Sequence, residues 1–246
     1  MSKLISRRQL LAGIPAAGGL LLTGCRESRP PTYGSLVDLS NAVTFASQRL
    51  LLRKQPLARE FGRDKISKRF PAINTTNPSG LWYQIMRGSR FREWSLPVEG
   101  MVANPTELSL DDLKGFPSRT QVTQHNCEQG WSAIAEWTGV QLARVLQAAG
   151  TLPQARYVVF HTIDGWWDSL DMFDALHPQT LLAYGMNGAA LPVPHGAPVR
   201  LRVERQLGYK SLKYLSRIEL TDRLDDVEDG TGAVGAAYGY SWYAGI

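Results

Sequence analysis

The sequence predicts an α+β fold with mixed or antiparallel β-sheets, and three observations carry that expectation. Strand-like runs crowd the second half of the chain, as in Tyr157-Val-Val-Phe-His-Thr-Ile and the alternating Val199-Arg-Leu-Arg-Val-Glu. Helical spacings fall between them in no regular strand–helix–strand order, which argues against a doubly wound parallel sheet. The chain has 246 residues, 43% of them apolar, enough for a sizeable core. No apolar run reaches the roughly 18 residues of a membrane span.

The N-terminus reads as a targeting signal. Ser6-Arg7-Arg8-Gln9-Leu10-Leu11 sets twin arginines before an apolar segment, Leu10 to Leu22, that Gly13, Pro15, Gly18 and Gly19 interrupt. That suits a signal h-region. It ends Leu22-Thr23-Gly24-Cys25, which resembles a bacterial lipobox, in which Cys25 is acylated and becomes the first mature residue. A plain anchor helix with two chance arginines is the duller alternative and ranks second. Twin-arginine export carries folded proteins and so hints at a cofactor inserted before transport. The expected division is a signal over 1–24, a tether over 25–35 and one domain over 36–246. The expected location is the periplasmic side of a bacterial membrane, held by lipid on Cys25.

Along the domain, Leu36, Leu39, Val43, Ala46 and Leu50 have helical spacing. Residues 56–80 are loop-like, with Pro56, Pro71, Pro78 and a polar Asn74-Thr-Thr-Asn. Trp94, Leu96 and Val98 alternate as in a strand, and Ser109-Leu-Asp-Asp-Leu opens a short capped helix. A strand over Gln121 to His125 runs into Cys127. Val140, Leu142, Val145, Leu146 and Ala149 make one helical face closed by Gly150. Asn187-Gly188 between two apolar runs predicts a hairpin with a type I′ turn. Arg200 and Arg202 share one face of their strand, and Tyr214 to Leu220 alternates again.

Charge excludes one class of partner. The formal charge is +5, but Lys3, Arg7 and Arg8 lie in the signal. Without them 24 basic residues face 22 acidic ones, too near balance for long-range attraction to nucleic acid. Gly230-Thr-Gly-Ala-Val-Gly235 matches a dinucleotide fingerprint in letters alone. It follows an acidic stretch, and only 11 residues remain after it, too few for the strand–turn–helix unit and its acid about 20 residues on. The acidic stretch lacks calcium-loop spacing. Haem attachment by C-x-x-C-H is absent.

The chain has two cysteines and four histidines. If Cys25 carries lipid, Cys127 is the sole thiol of the mature chain, and no intrachain disulfide can form. Scattered histidines do not make a zinc site. A Cys–His hydrolase pairing stays open, since the partners can be distant in sequence. So does a metal that needs one protein ligand.

His125-Asn-Cys127-Glu-Gln-Gly130-Trp131-Ser-Ala-Ile-Ala-Glu-Trp137-Thr-Gly139 resembles the metal-cysteine motif of the sulfite-oxidase-like molybdopterin oxidoreductases. Three later runs resemble the same family: His177 to Gly188, Leu191 to Leu201, and Gly208-Tyr209-Lys210-Ser-Leu-Lys213. Tyr240-Ser-Trp-Tyr243-Ala-Gly-Ile also fits. The likeness spans roughly residues 45–246 and is greatest to small bacterial members akin to the catalytic subunit of protein-methionine-sulfoxide reductase. It implies the sulfite-oxidase-like molybdopterin-binding fold and a molybdenum–molybdopterin cofactor, with Cys127 as the metal's protein ligand. Asn74, Thr162, His195, Arg200, Gly208, Tyr209 and Lys210 are the implied cofactor contacts, with Tyr243 a further donor. Arg200 and Lys210 would hold the pterin phosphate.

Relatives commonly place Glu two residues after the cysteine; here Glu128 directly follows it and Gln129 takes that place. Asn126 stands where sulfite oxidisers bring an arginine. The implied reaction is oxygen-atom transfer to or from a small or protein-bound substrate, with an oxide as the candidate substrate. With no haem motif, electrons pass through a separate carrier, a membrane haem protein or a soluble cytochrome. The alternative is an envelope lipoprotein that keeps the fold as a binding or assembly partner without turnover.

Overall fold

The computed structural model describes residues 28–34 and 37–246. Leu36, the twin arginines and Cys25 lie outside the described residues. In chain order the strands are β1 (Ser95–Gly100), β2 (Thr106–Ser109), β3 (Ser118–Asn126), β4 (Ser132–Gln141), β5 (Tyr157–Thr162), β6 (Trp167–Asp171), β7 (Leu181–Met186), β8 (Ala189–Ala190), β9 (Arg200–Arg202) and β10 (Leu215–Thr221). The helices are α1 (Val37–Leu52), α2 (Leu81–Gly88), α3 (Leu110–Gly115), α4 (Leu142–Ala149) and α5 (Met172–Ala175).

One sheet runs β2-β1-β10-β5-β6; the other runs β3-β4-β7-β8, with β9 also on β7. The β1–β10 pair is parallel and the remaining pairings are antiparallel. This is the mixed α+β architecture the sequence predicts. Leu96, Val98, Phe160 and Ile218 of the first sheet join Val140, Leu182 and Leu201 of the second, with Val145 and Leu146 of α4, in one apolar cluster. Removing these aliphatic faces from water is the main force closing the two sheets on each other.

Local signals act as expected. Ser109 caps α3 in a reciprocal box with Asp112. Gly150 ends α4 with φ +72°, a conformation that costs glycine little. Asn187 and Gly188 both have positive φ, 52° and 78°, as a type I′ turn requires.

Four features differ from the sequence reading. β4 and β6 had no clear period: β6 is buried throughout, Asp168 and Asp171 included. α4 starts at Leu142, because Val140 belongs to β4 and pairs with Ser118 and Leu182. The apolar stripe of α1 faces outward, with Leu39 73% and Leu50 69% exposed, while Phe45 is buried and Arg49 reaches Asp171 and Asp174. Residues 28–34, within the expected tether, lie against the domain: Ser28 donates to Asp171 at 2.9 Å, the Arg29 N–H to the Tyr157 hydroxyl at 2.9 Å, and the Tyr33 hydroxyl to the Thr231 carbonyl at 3.2 Å.

Candidate functional site

β3 and β4 form a hairpin with nine paired positions, from Ser118↔Val140 to Asn126↔Ser132. Its turn holds Cys127. The Cys127 N–H donates to the Trp131 carbonyl at 2.9 Å and the Gly130 N–H returns to the Cys127 carbonyl at 3.1 Å. Gly130 takes φ +87° there.

A cavity of about 500 Å³ opens beside this turn. His125, Glu128 and Trp131 line it from the hairpin, and Phe70 to Thr75 from the preceding loop. His195, Arg200 and Gly208 to Tyr209 close a third side, with Ser211 to Lys213. Trp166, Tyr238 and Tyr240 complete the rim. Two stacked pairs shape that rim, Trp166 on Tyr238 at 5.7 Å and Tyr209 on Tyr240 at 4.8 Å between centroids. Phe70 packs between His125, Trp131, Trp137 and His195, all at 5.3–5.8 Å.

Of the residues the sequence singled out, Asn74, His195, Arg200, Gly208 and Tyr209 line this cavity. Cys127 is 6% exposed and sits between two wall residues in sequence. Its thiol donates to Glu128 Oε2 at 3.4 Å. Burial, with the Glu128 carboxylate alongside, pushes the thiol up to about 11, against the Gln129 N–H that favours the thiolate. That is the reverse of an activated nucleophile. His125, the histidine nearest in sequence, accepts a hydrogen bond from Arg202 at Nδ1, and burial together with Arg202 and Arg200 lowers it to about 2. These surroundings do not suit a Cys–His hydrolase.

Three predicted contacts, Lys210, Tyr243 and Thr162, stand off the cavity wall in this structure. The Lys210 ammonium is buried and ion-paired with Asp168. It also donates to the Ser169 and Trp242 carbonyls at 2.9 and 2.8 Å, so its three protons are used. Lys213, three residues on, is the lysine on the cavity wall. Tyr243 packs edge-on against Phe45 at 5.1 Å and under the Arg49 guanidinium, in a separate apolar cluster. Tyr240 reaches the cavity instead. The Thr162 hydroxyl donates within its own loop, to Asp164 Oδ1 at 2.6 Å and the Trp166 carbonyl at 2.7 Å. It shapes the loop that brings Asp164 and Trp166 to the wall.

Arg200 is 5% exposed. Its NH1 donates to the His195 carbonyl at 3.0 Å and its NH2 to the Ser211 carbonyl at 2.7 Å. Its Nε is buried with no partner. Glu204, the nearby carboxylate, is engaged by Arg202 at 2.7 and 3.1 Å. Burial, and then Arg202, lower Arg200 to about 9. Lys213 is likewise lowered to about 8, by burial and then Arg200. The wall therefore carries two desolvated cations.

Sequence reasoning passed over His125, Glu128, Trp131, Phe70 and Lys213 as site residues. The first three stood within the cysteine motif and were legible by proximity. Nothing marked Phe70.

Residues 84–227 match the family described as oxidoreductase molybdopterin binding domain. A relative from Azospira oryzae, provisionally assigned as the protein-methionine-sulfoxide reductase subunit YedZ1, is 33% identical over 99% of this chain and 89% of its own length. The protein-methionine-sulfoxide reductase catalytic subunit MsrP of Xanthomonas campestris is 30% identical over 89% of this chain and 71% of the relative. Among solved structures, the sulfane dehydrogenase SoxCD from Paracoccus pantotrophus superposes with a TM-score of 0.51 at 25% identity. That likeness covers 58% of this chain and 40% of the SoxCD chain.

Proposed function

The chain belongs to the oxidoreductase molybdopterin binding domain family, and on that premise we propose that it is an exported enzyme that removes an oxygen atom from a small or protein-bound sulfoxide-type oxide. Its family makes it a molybdenum–molybdopterin-dependent oxidoreductase of the sulfite-oxidase-like fold.

The residues present fit that cofactor. The observation that carries the reading is Arg200: a buried guanidinium, free of any carboxylate contact among the described residues, with an orphaned Nε on a cavity wall. A buried cation without a counter-charge is costly unless an anion arrives with the ligand. Arg200 would receive the pterin phosphate, with Lys213 adding positive charge on the wall while its ammonium donates to the Ile73, Thr75 and Pro194 carbonyls, and Cys127 would supply the thiolate. Asn74, His195, Gly208 and Tyr209 would hold the ring system. Bound there, the cofactor supplies two-electron oxygen-atom chemistry. Glu128 Oε2, already hydrogen-bonded to the thiol, is the base at hand for its proton. Trp131, Trp166 and Tyr238 give the entrance an aromatic character that suits a neutral sulfur substrate better than an inorganic anion. Electrons reach the site from a separate carrier.

Replacing Arg200 with Met tests this. A charge-assisted hydrogen bond contributes about 1.5–3 kcal/mol, or roughly one to two decades in affinity. Molybdenum and pterin per purified chain are expected to fall, with a circular dichroism melt checking that the variant still folds despite losing the bonds to the His195 and Ser211 carbonyls. Unchanged occupancy removes Arg200 from the site.

The exported and lipid-anchored part of the proposal rests on Arg7, Arg8 and Cys25 in the sequence. Changing both arginines to Lys is expected to leave cofactor-loaded precursor in the cytoplasm, read by fractionation and metal analysis. Normal export of the Lys-Lys form discards the twin-arginine route.

A further inference from the structure

Arg202 NH1 lies 2.8 Å from His125 Nδ1. A guanidinium can only donate, so Nδ1 must carry a lone pair and the ring proton resides on Nε2. Arg202 is itself fixed: Glu204 accepts from its Nε and NH2 at 3.1 and 2.7 Å, and Gln121 Nε2 donates to Glu204 at 3.0 Å. The Arg202 guanidinium lies 4.4 Å over the Trp137 ring. The imidazole is gripped by Phe70 and Trp131, with centroids at 5.3 and 5.4 Å.

The far edge of that ring meets the cavity. A Cβ at Gly208 would lie 2.4 Å from both Nε2 and Cε1 of His125, so only glycine at this wall position lets the backbone pack beside that edge without displacing the ring. No residue among those described accepts a hydrogen bond from Nε2, although the side chain is only 7% exposed. Nε2 is not sealed off by the protein, so its N–H is available to an acceptor within the cavity that His125 lines.

We propose that His125 is a neutral hydrogen-bond donor, through Nε2–H, to the molybdopterin group bound in this cavity, with Arg202 as the residue that positions it. The role rests on the cofactor reading above. Neither the Cys127 motif nor Arg200 requires it; it follows from the Arg202 contact and from an Nε2 without a protein partner on the cavity wall.

Nitrogen-15 NMR on histidine-labelled protein tests the tautomer directly, with His125→Gln used to assign the signal. Before cofactor loading, a bare Nδ1 and a protonated Nε2 are expected at neutral pH. Protonation at Nδ1 overturns the proposal whatever binds in the cavity. In protein purified from cofactor-producing cells, His125→Leu is expected to weaken molybdopterin retention on dialysis roughly three- to tenfold, the worth of one neutral hydrogen bond. His125→Gln, which keeps an N–H donor, should retain most of it. Full retention in the Leu variant beside a loaded wild type overturns this role alone. A wild-type chain carrying no molybdopterin overturns the cofactor reading, and this role with it.

Discussion

Cys127→Ser is expected to abolish turnover with a reduced viologen donor and a sulfoxide acceptor, while leaving the fold intact. The change is nearly isosteric within a turn whose shape comes from Gly130 and the Cys127–Trp131 backbone bonds. No charge is lost on substitution, because burial and Glu128 keep the free thiol protonated, up at about 11. A serine hydroxyl can make the same bond to Glu128. Its oxygen, however, is a poor partner for a metal already held by soft sulfur, and it does not deprotonate to bind as a thiol does. Turnover below detection, a circular dichroism melt within a few degrees of wild type and depleted molybdenum are the three expected readings. Wild-type turnover in this variant would falsify the assignment of Cys127 as the metal's ligand.

The elements that were legible in the sequence are those whose period matches their burial. β5 is a continuous apolar run because both its faces are covered, and the Asn187–Gly188 turn follows from φ preference alone. β6 was hidden for the opposite reason. Asp168 and Asp171 look like loop residues until Lys210 and Arg49 are seen beside them. α1 was found by a stripe that turns out to face away from the domain, so the helix was right and its inner face was not. The same limit governs the site. Lys210 and Lys213 stand three residues apart, as do Tyr240 and Tyr243. Nothing local says which of each pair meets the cavity; the 3-10 turn at Gly208–Lys210 and the C-terminal packing of Tyr243 on Phe45 decide it. Arg200 and Arg202 share a strand face as the alternation implied, yet their roles divide, because Glu204 neutralises only the second.

Lys210→Met gives the second large effect, and on stability. Asp168, 3% exposed, would be left in the interior without its cation. Breaking a buried pair from one side costs about 3–5 kcal/mol, or a fall of roughly 6–20 °C in Tm for a chain of this size. The deficit should depend on pH in a definite sense. Burial already raises Asp168 above the ordinary carboxylate range against the pull of Lys210; without the lysine that rise is unopposed. A folded-state value above the unfolded one means that protonation favours the fold, so the deficit narrows as pH falls and widens towards neutrality. Combining Lys210→Met with Asp168→Asn removes the stranded charge and should restore most of the loss. The double variant also decides what Lys210 does. If its side chain only braces β6 against the C-terminal segment through Ser169 and Trp242, molybdopterin occupancy returns together with Tm. Recovered stability with occupancy still depleted would put the Lys210 ammonium back on the phosphate.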